Sequence, residues 1–111
     1  MSSFGPDHHA ATCWACWEQT GTNSVLDSHN CSGFTDNGTG FIQINIANNM
    51  ANTNYASTGN SEISGHYTSQ GINNNNGGQN TGYAAKFTAR VDNGSRVDPN
   101  KAGSVVHGDL A

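Results

Sequence analysis

The chain has 111 residues, a net charge of −4 and only 11% charged residues, while Asn, Ser, Thr and Gly together occupy 51 positions. The length fits one domain, and no apolar run approaches the roughly 18 residues of a membrane helix or the core of a secretory signal. Without such an apolar run, we expect no membrane insertion. Because four basic residues cannot form the clustered Lys and Arg of a nucleic-acid-binding surface, we also expect no nucleic-acid partner.

The apolar residues gather in short runs bounded by turn residues, which is typical of β-strands. The first run, 11–17, places Trp14 and Trp17 on opposite faces of a strand, because side chains alternate along it. A second short run covers 24–28. Asn37-Gly38 then marks a tight hairpin turn, since both residues tolerate positive φ.

The strongest strand prediction is 41–46. Its three isoleucines alternate with Gln43 and Asn45, which predicts a half-buried strand. Weaker strands are predicted at 55–58 and 63–68.

The segment between Ser69 and Thr81 is rich in Asn and Gly, and we interpret it as a surface loop. The run 83–91 alternates again, with Tyr83, Ala85, Phe87, Ala89 and Val91 predicted inward and with Lys86, Thr88 and Arg90 predicted outward. A closing strand is predicted within 104–111.

This pattern of short strands and frequent turns predicts an all-β fold, a small antiparallel β-sandwich of jelly-roll-like form. We expect an N-terminal arm at residues 1–10 and a single domain at 11–111. Because so few large side chains make a small core, we expect a trimer whose subunits share it. The residues expected to build the core or the subunit interface are Trp14, Trp17, Phe41, Ile42, Ile44, Ile46, Tyr83, Phe87 and Val91.

The three cysteines are the first candidates for chemistry. Cys13, Cys16 and Cys31, with His8 or His9, would be a permitted zinc set. However, positions i and i+3 of a strand point to opposite faces, so Cys13 and Cys16 cannot both reach one ion. We expect no metal site and no cofactor, and a disulfide involving Cys31 stays open.

A hydrolytic site has little support. Asp27 and Asp36 lie near Ser28-His29, but an Asp beside a Ser in a turn usually caps the local backbone. We therefore expect no catalytic residues and no enzyme activity.

Long polar loops on a rigid β-scaffold are frequent binding sites. The loop prediction therefore nominates a receptor-contact surface, with a passive surface loop as the equal alternative. Its residues are Tyr67, Gln70, Asn73, Asn74, Asn75, Asn76, Gln79 and Asn80.

Four segments follow one another in a recognisable order: WACWEQTGT at 14–22, VLDSHNCS at 25–32, TDNGTGFIQINI at 35–46 and MANTNY at 50–55. This order resembles a module of tail-fibre and related virion proteins of tailed phages. The resemblance covers most of residues 11–56 and continues more loosely to the C-terminus. It implies a small β-sandwich, commonly trimeric, at the distal end of a fibre, with no enzyme activity and no established metal ligands.

Two features depart from that pattern. Such modules generally close a much longer chain, whereas the first strand here follows closely on Met1, so we expect the chain to lack its own shaft and virion anchor. The three cysteines also stand where the pattern more often has other residues.

We therefore predict a virion structural protein on the exterior of a phage tail or capsid, foremost a tail-fibre or receptor-binding knob that mediates host attachment. Its partners would be two further copies of itself, other virion proteins, and a host surface glycan or protein receptor. Capsid decoration, or another structural role in tail assembly, is the alternative. A self-assembling extracellular filament and a small zinc-dependent enzyme rank below it.

Overall fold

A computed structural model describes residues 12–21 and 23–111, so the predicted arm at 1–10 lies outside the described residues. The described chain forms eight strands and one short 3₁₀ turn, at Asn74–Asn76. The strands are β1 (Cys13–Glu18), β2 (Ser24–His29), β3 (Cys31–Gly38), β4 (Phe41–Ile46), β5 (Ala56–Glu62), β6 (Thr68–Ile72), β7 (Tyr83–Arg90) and β8 (Lys101–His107).

The strands form two four-stranded antiparallel sheets. We call the sheet with the order β2-β1-β8-β5 sheet A and the sheet with the order β3-β4-β7-β6 sheet B. Consecutive strands pair as hairpins in β1–β2, β3–β4 and β6–β7, and the apolar core draws residues from both sheets. The prediction of an all-β antiparallel sandwich is confirmed.

The apolar part of the core lies between β1 and β4. Trp17 is fully buried, and its ring meets that of Phe34 edge-on, with the centroids 5.2 Å apart. Ile42, Ile44 and Ile46 alternate with half-buried Gln43 and Asn45, as the sequence predicts. The opposite faces predicted for Trp14 and Trp17 are also confirmed, since burial along β1 alternates.

The part of the interior between β5 and β6 is polar instead. Thr68 hydrogen-bonds to Ser61 across the sheets at 2.8 Å, and the Nε2 of Gln70 donates to the carbonyl oxygens of Asn60 and Gly103. Lys86, only 2% exposed, donates from Nζ to the hydroxyl of Ser57 at 2.8 Å. The sandwich therefore closes at this side through side-chain hydrogen bonds where large apolar residues are missing.

The predicted orientation of β7 is wrong. In an antiparallel pair, directly opposed residues share a sheet face, and Ile42 and Ile44 of β4 pair with Lys86 and Ala84. Lys86 and Thr88, both 2% exposed, therefore lie inside. The alternation of 83–91 does mark an apolar face, but this face is the outer face of sheet B, so the pattern alone predicts the wrong orientation.

Five of the expected core or interface residues consequently lie outside the inter-sheet core. Phe41 and Phe87 oppose each other on the outer face of sheet B, where the guanidinium of Arg96 lies 5.7 Å and 5.0 Å from their ring centroids. Tyr83 shares that face, Val91 is 63% exposed, and Trp14 is on the outer face of sheet A. Trp17, Ile42, Ile44 and Ile46 are in the core as predicted.

Two predicted boundaries are also wrong. The β3–β4 turn is at Thr39-Gly40 and not at Asn37-Gly38, and the backbone N–H of Gly40 is held by the carboxylate of Asp98 at 2.7 Å. The predicted strand at 63–68 is a turn with a single bridge between Ile63 and His66. Strand β6 instead begins at Thr68 and occupies the start of the predicted surface loop.

Candidate functional site

One hollow on the described surface lies on the outer face of sheet A, where β1, β8 and β5 run side by side. The register sets Trp14, Val105 and Thr58 in one row and Cys16, Gly103 and Asn60 in the next. These six residues line an open groove of about 330 Å³, which we call the Trp14 groove. That volume is at the lower end of the range of small-ligand sites, roughly 300–1,000 Å³.

The floor of the Trp14 groove is made by the absence of a side chain at Gly103. A Cβ there would stand 2.9 Å from Asn60 Oδ1 and 3.6 Å from Cys16 Sγ, so any larger residue would fill the floor. From the interior, Gln70 ties β5 to β8 by donating to Asn60 O at 2.8 Å and to Gly103 O at 3.2 Å. Hydrogen bonds on the interior side of sheet A therefore fix the backbone that forms the floor of the groove.

The chemistry of the groove is uncharged. None of its lining residues is Asp, Glu, Lys, Arg or His. The two rows continue onto β2, where His29 lies opposite Trp14 and Asp27 lies opposite Cys16, so the nearest ionisable residues stand beside the groove and not in its lining. Among the described residues, the amide of Asn60 and the hydroxyl of Thr58 make no side-chain hydrogen bond, and both residues are exposed. The arrangement offers an aromatic wall and free polar groups to an uncharged ligand.

A second hollow, of about 370 Å³, lies at the end of the sandwich where β2 passes to β3. Its polar centre is occupied by Asn30, whose amide donates to Thr12 O at 3.2 Å and accepts from the backbone N–H of Asn48 at 2.8 Å. Because the hydrogen-bonding groups of Asn30 are already bound to the backbone of this chain, we interpret Asn30 as a structural link between the sheets and not as part of a binding site.

The residues predicted to contact a receptor do not form one surface. Tyr67, 87% exposed, precedes β6, whereas Asn74, Asn75 and Asn76 follow its other end and are exposed. Gln70 lies inside the strand and faces the sandwich interior.

The remaining predicted contact residues are partly used by the fold. Asn73 is buried, and its side chain accepts from Asn75 N at the start of the 3₁₀ turn. Gln79 donates to Tyr55 O at 2.9 Å, and Asn80 is exposed. The surface-loop interpretation therefore holds only for 74–80.

The cysteines are separated by the sheet. Cys13 faces the core and Cys16 faces the Trp14 groove, as the alternation predicts, so the two thiols cannot bind one ion. Burial, with a smaller contribution from Cys31, raises the pKa of Cys13 to about 11. The described residues contain no group of three potential metal ligands, and His8 and His9 lie outside them.

The acidic residues near Ser28-His29 serve the local backbone. Asp27 Oδ1 accepts from the N–H of Ser28 at 2.9 Å, so the carboxylate binds the local backbone as expected, but within strand β2 and not in a turn. Asp36 accepts from the N–H of Gly38 and from Asn23 Nδ2, both at 2.9 Å. Both carboxylates therefore bind backbone N–H groups of their own strands, β2 and β3.

Two features of the structure are not predicted by the sequence analysis. The Trp14 groove joins positions 14–16, 58–60 and 103–105, which no local motif links. The alternation of 83–91 predicts Lys86 on the outside, whereas its side chain is buried and burial lowers its pKa to about 8. Its burial follows from its position opposite Ile42, and that position is known only once the strand register is known.

Comparisons of the chain with protein-family models, with curated proteins and with solved structures find no match. Among the described residues, no helix is long and apolar enough to cross a membrane.

Proposed function

We propose that this protein is an attachment module of a tailed-phage virion, a receptor-binding knob at the exterior of the tail that works by binding and not by catalysis. The observation that supports this most is the Trp14 groove, an uncharged hollow with an aromatic wall on the exposed face of a rigid sheet. The sandwich is also the fold that the resemblance to tail-fibre modules implies.

Low charge suits this role. With only 11% charged residues, the chain offers mainly uncharged polar groups for hydrogen bonds to glycans or proteins, and we expect weak affinity per copy. Several copies on one particle would convert weak sites into high avidity, because every contact after the first is effectively intramolecular.

A trimer would serve the same purpose. Several large apolar side chains stand outside the core: Val25, Leu26, Tyr67, Val91 and Leu110 are 46–87% exposed. We propose that some of these side chains are buried between subunits of the trimer. Light scattering coupled to size exclusion should give three times the 11.6 kDa chain mass, and a strictly monomeric protein would contradict this part of the proposal.

The whole proposal is tested by location and adsorption together. A gold-labelled antibody against the protein should mark the tail tip in electron micrographs of the phage, and the purified protein should slow adsorption of that phage to its host. Label over the capsid would favour the decoration alternative, and a particle without label would overturn the proposal.

A further inference from the structure

We propose that the Trp14 groove binds an uncharged pyranose ring of a cell-surface polysaccharide. This inference rests on the proposed attachment function and gives it a ligand class and a site. It also moves the contact away from the Asn-rich segment that the sequence suggests.

The dimensions fit one sugar ring. Trp14 on β1 and Asn60 on β5 are separated by β8, and two strand spacings are about 10 Å. The missing side chain at Gly103 leaves the space between them open. A ring seated there would contact the indole at one side and the amide at the other.

The lining chemistry selects the ligand class. The face of an indole is electron-rich and attracts the weakly positive C–H groups of a pyranose face. The Asn60 amide can both donate to and accept from sugar hydroxyls, and the Thr58 hydroxyl can do the same. Since neither is engaged with another described side chain, no internal hydrogen bond has to be broken when a sugar binds.

Charge disfavours anionic ligands. No residue that lines the groove carries a positive charge, and the carboxylate of Asp27 stands beside Cys16 on the same face of the sheet. The chain's net charge of −4 further disfavours acidic sugars such as sialic or glucuronic acid. Neutral hexoses and N-acetylhexosamines remain.

The two tryptophans provide an internal control. Trp14 lines the groove, whereas the buried indole N–H of Trp17 is bonded to Gln19. In ¹H–¹⁵N spectra, titration with neutral disaccharides of glucose, galactose, mannose or N-acetylglucosamine should shift the indole signal of Trp14 saturably with at least one of them. The Trp17 signal should stay in place, and sialyllactose and glucuronic acid should shift neither.

Variants separate the groove from the rest of the surface. Trp14→Ala should abolish saturable binding, and Asn60→Ala should raise Kd about tenfold, the effect of losing roughly one hydrogen bond. Gly103→Ala should also weaken binding by filling the floor. Val25→Ala, a loss of exposed apolar surface on the same sheet away from the groove, should bind as the parent does.

Three results would overturn the proposal: no shift of the Trp14 signal with any neutral sugar, equal shifts of both indoles, or a Trp14 signal that changes with protein concentration. The last would make the groove a contact between copies of the chain. Because Trp14→Ala could disturb folding, Asn60→Ala and the thermal midpoint of each variant keep the result interpretable. If sugars bind but the protein is absent from the virion, the proposed function fails alone. If the labelled protein marks the tail tip and blocks adsorption without binding sugars, this inference fails alone.

Discussion

The indole N–H of Trp17 donates to Gln19 Oε1 at 3.0 Å, and this contact links the core to the β3–β4 turn. Gln19 is 2% exposed, and its Nε2 donates to Phe41 O and to Asp98 Oδ1, both at 3.3 Å. Since Asp98 also holds the N–H of Gly40, one glutamine ties the end of β1 to the hairpin of the opposite sheet.

Replacing this glutamine should be costly. Gln19→Leu leaves the Trp17 N–H buried without a partner and removes a donor from Asp98, so we expect the free energy of unfolding to fall by about 3 kcal/mol. Urea denaturation followed by tryptophan fluorescence measures this. Gln43→Leu, which removes a half-buried amide that donates to Asn45, should cost less than about 1 kcal/mol. Equal losses in the two variants would contradict the role assigned to Gln19.

Lys86 should make stability depend on pH. Burial lowers its pKa from 10.5 to about 8, so between these values the unfolded chain holds a proton that the folded protein lacks. Stability from this group therefore increases as pH rises through the window. Its register partners Ile42 and Ile72 are uncharged, and Nζ donates to the Ser57 hydroxyl.

The measurement is a difference between two proteins. Cys13 and Tyr55, whose pKa values burial raises to about 11 and about 12, lower stability as the pH rises beyond roughly 9. Lys86→Met retains both groups, so subtracting its unfolding free energy from that of the parent cancels them. The difference should grow by about 2 kcal/mol in favour of the parent between roughly pH 7.5 and 9.5. The exposed-site variant Lys101→Met should show no such trend, and a flat difference for Lys86→Met would contradict burial of the amine.

The strand β4 could be predicted from the sequence because its two faces differ strongly. Ile42, Ile44 and Ile46 contrast with Gln43 and Asn45, so only one orientation buries apolar surface. Strand β7 shows a similar contrast, but its apolar alternation forms the outer face of sheet B, where Phe87 lies opposite Phe41. Its orientation is decided by the pairing with β4 and by Ser57, which accepts the hydrogen bond of Lys86.

The Trp14 groove could not be predicted from the sequence for a related reason. Its three segments are brought together only by the strand order β1-β8-β5, which links residues 14, 105 and 58. Strand β6 could not be predicted from the sequence either, because Ser69-Gln-Gly-Ile72 has no apolar alternation. Side-chain hydrogen bonds of Thr68 and Gln70 hold this strand in place instead.

Asn30 should be sensitive to substitution for two separable reasons. It joins β2 to β3 with a left-handed φ of 55°, and its amide bonds to Thr12 and Asn48. Asn30→Ala loses these bonds and strains the backbone, so unfolding free energy should fall by about 2 kcal/mol. Asn30→Gly loses the bonds but fits the φ, so it should recover about 1 kcal/mol of that loss. Urea denaturation of both variants compares them, and an Ala variant as stable as the Gly variant would contradict the strain.

The three thiols should react with Ellman's reagent at different rates. Cys16 is partly exposed beside the Trp14 groove, whereas Cys13 is 1% exposed, and its raised pKa of about 11 leaves roughly 100-fold less thiolate than an ordinary thiol near pH 8. We expect one fast phase in the native protein, and three reactive thiols after unfolding in urea. Cys16→Ser should remove the fast phase and Cys13→Ser should leave it unchanged. A fast phase that survives in Cys16→Ser would contradict this assignment. It would come from Cys13, against its burial, or from the partly exposed Cys31, against the pKa that desolvation raises there.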